Sequence, residues 1–160
     1  MSLVYTANPP AKDAEPTVAN DPWWPAITPD EVRDAAALDG TTTPARLREA
    51  LREAMDSVNE ELEPYRSRQE QAGYASLADV PARQIDGHSV QVLRYRRAVI
   101  ACVQARLVEV HREIDTTPHG DSKADRIRER LDAKLDEHRR AMRWAISDLL
   151  GIGRTTVELI

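Results

Sequence analysis

The sequence predicts an all-α fold, a small bundle of about four helices with an extended arm before it and an extended tail after it. Apolar residues recur every three or four positions over most of the chain, which is the period of an amphipathic helix. Proline or glycine stands between these stretches. The chain has three Trp, four Tyr and no Phe, and 31% of its residues are charged, which favours aliphatic helix packing with charged outer faces.

The chain divides into three predicted segments: a flexible N-terminal arm over residues 1–27, a helical bundle domain over 28–150 and an extended tail over 151–160. Many of its prolines lie in or next to the arm, which is typical of a segment outside the core. Trp23 and Trp24 stand between prolines near the end of this arm. Such large rings are poor candidates for free exposure, so they cover either this chain's own bundle or a neighbouring subunit.

The first two helices carry clear start and stop signals. The first begins at Thr28, where Thr, Pro and Glu form a capping box, and is expected to end near Gly40. The second begins at Thr43-Pro44 and ends at Gly73. Pro64 lacks the N–H that a helix interior needs, so we expect a kink or a split there. The apolar face of the second helix comprises Leu47, Leu51, Met55, Val58, Leu62 and Tyr65.

Residues 74–82 connect the second helix to the third. This connection is too apolar for a free linker, so we expect it to pack along the bundle. A turn at residues 85–89 then precedes the third helix, which runs from about Val90 to Ile114. The third helix is the most apolar and is expected at the centre.

The fourth helix is predicted from about Asp121 to the glycines at 151 and 153. Beyond it, Thr155–Ile160 favours an extended state because Thr and Val have stiff, strand-favouring side chains. The apolar stripe of the fourth helix has heptad-like spacing and comprises Ala124, Ile127, Leu131, Leu135, His138, Met142, Ala145 and Leu149.

No pattern in the chain indicates an enzyme, a cofactor site or a metal site. Cys102 stands alone among apolar residues, which favours core packing over a reactive or metal-binding role. Phosphate-binding glycine loops and nucleophile elbows are absent, and the alternating charges of the fourth helix are typical of a solvated face. We therefore expect no cofactor and no small-molecule substrate. The histidines are scattered without metal-ligand spacing, at His88, His111, His119 and His138.

The charge of the chain weighs against unaided binding to duplex DNA. The formal net charge is -5 at pH 7, whereas affinity for DNA comes largely from cations that neutralise phosphates. One alternative remains open, a small helical DNA-binding regulator, because residues 146–157 resemble the turn of a helix-turn-helix. A recognition helix starting near Arg154 would have only about seven residues. No apolar run approaches the ~18 residues of a membrane span, so we expect no membrane partner.

Eight residues are candidates for contact with a partner or a neighbouring subunit. Arg94 and Arg97 share a helical face and could bind phosphate or an acidic partner, although packing of their stems and solvation is the other interpretation. The tail could add a strand to a partner through main-chain hydrogen bonds. The full set is Trp23, Trp24, Arg94, Arg97, Arg154, Val157, Leu159 and Ile160.

Short sequence matches lie in order along most of the chain and resemble one known family. They include PARLREA at Pro44–Ala50, LADVPA at Leu77–Ala82, GDSKAD at Gly120–Asp125 and MRWA at Met142–Ala145. Trp23-Trp24-Pro25 is similar to that family's aromatic entry into its first helix. These segments resemble the head completion proteins, also called head-stabilisation proteins, of contractile-tailed temperate phages.

The resemblance implies a structural virion protein without catalytic residues. It would bind the portal vertex of the DNA-filled capsid, seal and stabilise the packaged DNA and permit tail attachment. The implied partners are the portal protein, neighbouring copies in a ring of about twelve, the next head–tail joining or tail protein and the DNA passing through the channel. The implied location is the head–tail junction of the virion, with the host cytoplasm during assembly.

Overall fold

Four α-helices dominate the architecture, which confirms the predicted all-α class. The computed structural model describes residues 15–38, 41–114 and 122–153. A single 3-10 turn and a two-stranded hairpin lie between the second and third helices of this described part. The elements in chain order are α1 (Pro29–Ala35), α2 (Pro44–Gln71), the 3-10 turn (Leu77–Asp79), β1 (Gln84–Ile85), β2 (His88–Ser89), α3 (Val90–Ile114) and α4 (Ser122–Leu150).

Helix α1 begins with the predicted capping box. The Thr28 hydroxyl accepts a hydrogen bond from the Glu31 N–H at 3.2 Å, and the Glu31 carboxylate accepts one from the Thr28 N–H at 2.9 Å. Pro29 occupies the first helical turn, where its missing N–H costs nothing. These contacts satisfy backbone donors that the start of a helix leaves without partners.

Helix α1 ends at Ala35, earlier than the predicted stop near Gly40. Ala37 adopts a φ of 48°, the left-handed conformation that usually falls to glycine after a helix. Ala37 and Leu38 donate their N–H groups back to carbonyls of the last turn. Residues 39–40 lie outside the described ranges, so the role predicted for Gly40 is untested.

Helix α2 starts and stops where the sequence predicts. The Thr43 hydroxyl accepts a hydrogen bond from the Arg46 N–H, and Gly73, at a φ of 95°, follows the end of the helix. Of the two outcomes expected at Pro64, the split is wrong, because α2 is continuous across it, and the kink stays a prediction. Leu62 and Tyr65 are buried on either side of the proline, and this tertiary packing holds the helix together.

The connection after α2 packs into the core, as predicted. Leu77 is fully buried and Val80 is buried beside it. The turn at residues 85–89 forms a small antiparallel hairpin, in which Ile85 pairs with His88. Asp86 and Gly87 both have positive φ, at 50° and 73°, which is the signature of a two-residue hairpin turn.

Helix α3 lies at the centre of the bundle and packs against both α2 and α4, as its apolar sequence predicts. Tyr95, Val99 and Val103 are fully buried. Cys102 is also buried, which confirms its assignment to the core, and burial raises the pKa of its thiol.

Helix α4 buries only part of its predicted stripe. Leu135, Ala145 and Leu149 lie in the core, but Leu131 is only partly buried and 40% of Ile127 is exposed. None of residues 125–134 is buried, so the start of α4 lacks a covering helix over its full length. The predicted apolar stripe is therefore buried in the second half of the helix but largely exposed in the first half.

The prediction of a flexible arm is wrong for residues 15–27. This segment folds back on the helices, and the Val18 N–H donates to the Ile27 carbonyl at 3.4 Å. Its core residues are Val18, Trp23, Trp24 and Ile27, each at most 3% exposed. Two large indole rings bury enough apolar surface to outweigh the cost of ordering a proline-rich chain. Residues 1–14 and the tail residues 154–160 lie outside the described part.

The left-handed Ala37 generates a prediction about stability. A residue with a Cβ loses roughly 1–2 kcal/mol in this conformation, whereas glycine adopts it freely. Ala37→Gly should therefore raise the free energy of unfolding by about 0.5–1 kcal/mol, measured by denaturant titration. Ala36→Gly, in the right-handed conformation one residue earlier, is the matched control and should lower it. Equal destabilisation by both changes would contradict this explanation.

Candidate interaction surfaces

The described part of the chain offers packing surfaces rather than a chemical site. Within it, no cluster of three or more His, Cys, Asp or Glu side chains has the geometry of a metal site. A cleft of about 230 Å³ lies where the end of α1 meets α3 and α4, and His138 lines it together with Gln104 and Leu107. His138 is only partly buried, at the rim of the bundle, and this burial lowers the pKa of its side chain. None of the helices described here combines the length and apolarity needed to cross a bilayer.

The tryptophan pair lies inside this chain's own core. Trp24 stacks on Tyr95 of α3 with ring centroids 4.8 Å apart and planes 13° apart. Trp23 meets Trp24 edge to face at 4.5 Å and also approaches Tyr65 of α2 at 6.4 Å. Each tryptophan is 3% exposed. The structure therefore supports the first alternative, and the two rings are not available to a neighbouring subunit in this conformation.

Three side-chain hydrogen bonds form a closed ring that holds residues 15–27, the segment with the two tryptophans, against the helices. The Tyr95 hydroxyl donates to the Asn59 Oδ1 at 2.6 Å, and the Asn59 Nδ2 donates to the Asn20 Oδ1 at 2.9 Å. The Asn20 Nδ2 completes the ring by donating to the Tyr95 hydroxyl at 2.8 Å. This Asn20–Asn59–Tyr95 ring joins the N-terminal segment, α2 and α3 at one point.

The chemistry of Tyr95 suits its place in the ring. Burial raises its pKa far above the usual range of a phenol, and the hydrogen bond from Asn20 offsets only part of that rise. The hydroxyl therefore stays protonated and remains a donor to Asn59. Within such a buried network every donor and acceptor needs its partner, because an unpaired polar group costs about 1–3 kcal/mol.

Further contacts tie the same segment to α2 and to the connection that follows it. The Trp23 indole N–H donates to the Tyr74 carbonyl at 3.2 Å, and the Leu77 N–H donates to the Trp23 carbonyl at 3.0 Å. Arg66 forms an ion pair with Asp21 at 3.2 Å. Sequence reasoning missed this arrangement. One signal was available, because Asn59 is a poor helix former at the border of the apolar face of α2.

The other candidate contact residues have mixed outcomes. Arg94 bonds to Gln91 on its own helix, and Arg97 approaches Asp148 of α4 at 3.8 Å while about half of its side chain stays exposed. Their contact with a partner stays a prediction. The remaining candidates lie outside the described residues; these are Arg154, Val157, Leu159 and Ile160. The helix-turn-helix alternative stays untested for the same reason, since α4 is described to Leu150 and the chain after it only to residue 153.

Helix α4 presents exposed side chains that were not among the candidate contact residues. Trp144 is 42% exposed, and the Arg140 guanidinium lies 6.0 Å from the centre of its ring. Ile127 is exposed to a similar degree on the first half of the helix. Tryptophan and arginine are the residue types most enriched at the centres of protein interfaces. The outer side of α4 is therefore a candidate surface for assembly.

The hydrogen-bonded ring predicts a specific loss of stability. Asn59→Ala removes two bonds of the ring and leaves the buried Tyr95 hydroxyl without an acceptor, whereas Asn20 Oδ1 keeps only its bond from the Asp21 N–H. The free energy of unfolding should fall by about 1–3 kcal/mol. In a Trp144→Phe background the tryptophan emission comes from the two docked indole rings alone, so Asn59→Ala should also raise quenching of this emission by acrylamide. Glu49→Ala, exposed on the same helix, is the control, and an equally small effect of both changes would contradict the proposed role of the ring.

Comparison with known proteins gives a consistent result. A family model described as phage head completion protein (GPL) matches residues 18–160. The head completion/stabilization protein of Escherichia phage P2 is 44% identical over 151 residues, covering 94% of this chain and 86% of that protein. No solved structure matches. The family match begins at Val18, inside the packed N-terminal segment.

Proposed function

This chain belongs to the phage head completion protein family, and from that premise we propose that it binds the portal vertex of the DNA-filled capsid, seals the packaged DNA in place and permits tail attachment. The part it takes in head assembly is structural. The 44% identity to a head completion/stabilization protein over 94% of the chain carries this proposal.

The arrangement of the described residues supports an adaptor that works by shape and contact. Helices α3 and α4 have 25 and 29 residues, which corresponds to lengths of about 37 and 43 Å. Helix α3 is fastened to α2 by the Asn20–Asn59–Tyr95 ring and α4 packs along α3, so the three helices form a rigid wall. Such walls placed side by side enclose a channel, and copies related by rotation close into a ring.

The partners follow from this role. The chain contacts the portal protein on one side, the next head–tail joining or tail protein on the other, and its own neighbours in a ring of about twelve copies. The net charge of -5 allows packaged DNA to pass without being held. The chain resides in the virion at the head–tail junction, in the host cytoplasm during assembly, and acts without catalysis or a cofactor.

Complementation of heads tests the proposal. Heads assembled without this chain should lose nuclease protection of their DNA and should not accept tails, and supplying the purified protein should restore both. The readouts are the fraction of full-length DNA that survives nuclease and the fraction of heads with tails. Full protection and normal tailing without the chain would contradict the proposal. Specific duplex binding that Arg154→Ala abolishes would favour the regulator instead.

Removal of residues 154–160 separates assembly from folding. The described core ends at Leu149, and thermal unfolding of the truncated chain verifies that this core still folds. If the tail adds a strand to the portal, truncation should abolish binding to the portal vertex, measured as copies retained per purified head. The full-length chain with Ile152→Ser, changed at an exposed position, is the control. Undiminished retention of the truncated chain would rule out the tail contact.

A further inference from the structure

The first half of α4 lies largely uncovered. Arg139 of α4 pairs with Glu109 of α3, and Asp148 pairs with Arg97, so the two helices are antiparallel. Glu109 lies five residues before the end of α3, whereas Arg139 lies 17 residues after the start of α4. Helix α4 thus extends past α3 by about 12 residues, or roughly 18 Å. None of residues 125–134 is buried.

A row of cations and one tryptophan follows one side of α4. Arg126, Arg130 and Lys134 are spaced by four residues, and Trp144 continues the same side further along the helix. Within the described ranges no ion pair joins any of these three cations to a carboxylate. We call these residues, with Arg140 beside the tryptophan ring, the α4 ridge. Glu137 is an exposed carboxylate on the same side, but cations outnumber it there, and arginine and lysine with an exposed tryptophan suit an acidic protein surface.

Helix α2 carries a complementary row. Glu49, Asp56, Glu60 and Glu63 follow the side of the helix opposite its buried face, and all four are exposed. We call these four residues the α2 ridge. Asp56 and Glu60 lie one turn apart at its centre, and within the described part neither carboxylate forms an ion pair. Pro64 is exposed next to them and offers an apolar surface.

The two ridges lie on different sides of the molecule. Tyr95 of α3 contacts α2 through Asn59, whereas Arg97 of α3 contacts α4 at Asp148, one turn from Trp144. Two residues along a helix correspond to a rotation of about 200°, so Tyr95 and Arg97 point to opposite sides of α3. The α2 ridge of one copy therefore cannot meet its own α4 ridge, but it can meet the α4 ridge of another copy.

We propose that the α4 ridge of one copy binds the α2 ridge of a second copy, head to tail. This contact would be the interface between neighbouring copies in the ring of subunits. The inference rests on the ring assembly in the proposed function. Contacts between two different surface patches generate a ring when the rotation closes, which an identical patch-to-patch contact does not. Complementary charge sets the direction and register of neighbours, and Trp144 supplies the apolar contact.

Charge reversal tests the pairing in assembled heads. Arg130→Glu with Lys134→Glu reverses the centre of the α4 ridge, and Asp56→Arg with Glu60→Arg reverses that of the α2 ridge. Either pair alone should reduce the copies retained per purified head at least tenfold, because like charges then face each other. A chain with all four changes should recover to within about twofold of the original, because opposite charges meet again.

Controls make each outcome decisive. Arg128→Glu with Arg143→Glu makes the same charge change on other sides of α4 and should leave retention unchanged. All changed positions are exposed, and thermal unfolding of each variant verifies its fold. Unchanged retention with either single-ridge variant, or failure of the four-change chain to recover, would overturn the inference. If the α4 ridge binds DNA or the portal instead, the chain with all four changes would fail to recover. If heads lacking the chain are already protected, the proposed function itself fails.

Discussion

The contact on which the rest of the structure depends is the docking of residues 15–27 on α2 and α3. The Asn20–Asn59–Tyr95 ring supplies its direction, because three bonds of 2.6–2.9 Å can close in only one arrangement of the segment and the two helices. Trp24 stacks on the side chain of Tyr95 and adds buried apolar surface next to the Asn20–Asn59–Tyr95 ring. Trp23 then holds the connection after α2 through bonds on both its indole and its carbonyl. One docked segment thus fixes the angle between α2 and α3, and with it the relative positions of the surfaces they carry.

A fixed angle between helices matters for an assembly protein. In a ring of identical subunits, the shape of each copy sets the angle to its neighbour. A small change in that shape is repeated at every contact, so it adds up around the ring. A chain with few aromatic residues and 31% charged residues has few large, rigid side chains that can specify how its core packs. Two of its three tryptophans and two of its four tyrosines meet at this one junction, which concentrates the shape-specific packing where α2 and α3 join.

Sequence reasoning succeeded where local physical chemistry decides the outcome. The capping box at Thr28, the helix stop at Gly73 and the burial of Leu77 all follow from short-range signals. Family membership was also evident from short ordered matches, and the comparisons confirm it. The docked segment was missed because its proline-rich composition predicts a flexible arm. Its ordered conformation depends on hydrogen bonds between Asn20 and residues 39 and 75 positions further along the chain. The uncovered half of α4 was missed because periodicity identifies an apolar face but not whether another helix lies against it.

The most direct measurement of the central claim is a density map of the DNA-filled head at its portal vertex. We expect a ring of copies bound beneath the portal, in which residues 15–27 remain docked on α2 and α3 and each α4 faces the α2 of its neighbour. A map with the tryptophan segment swapped into an adjacent subunit, or with α4 facing away from every neighbour, would contradict it.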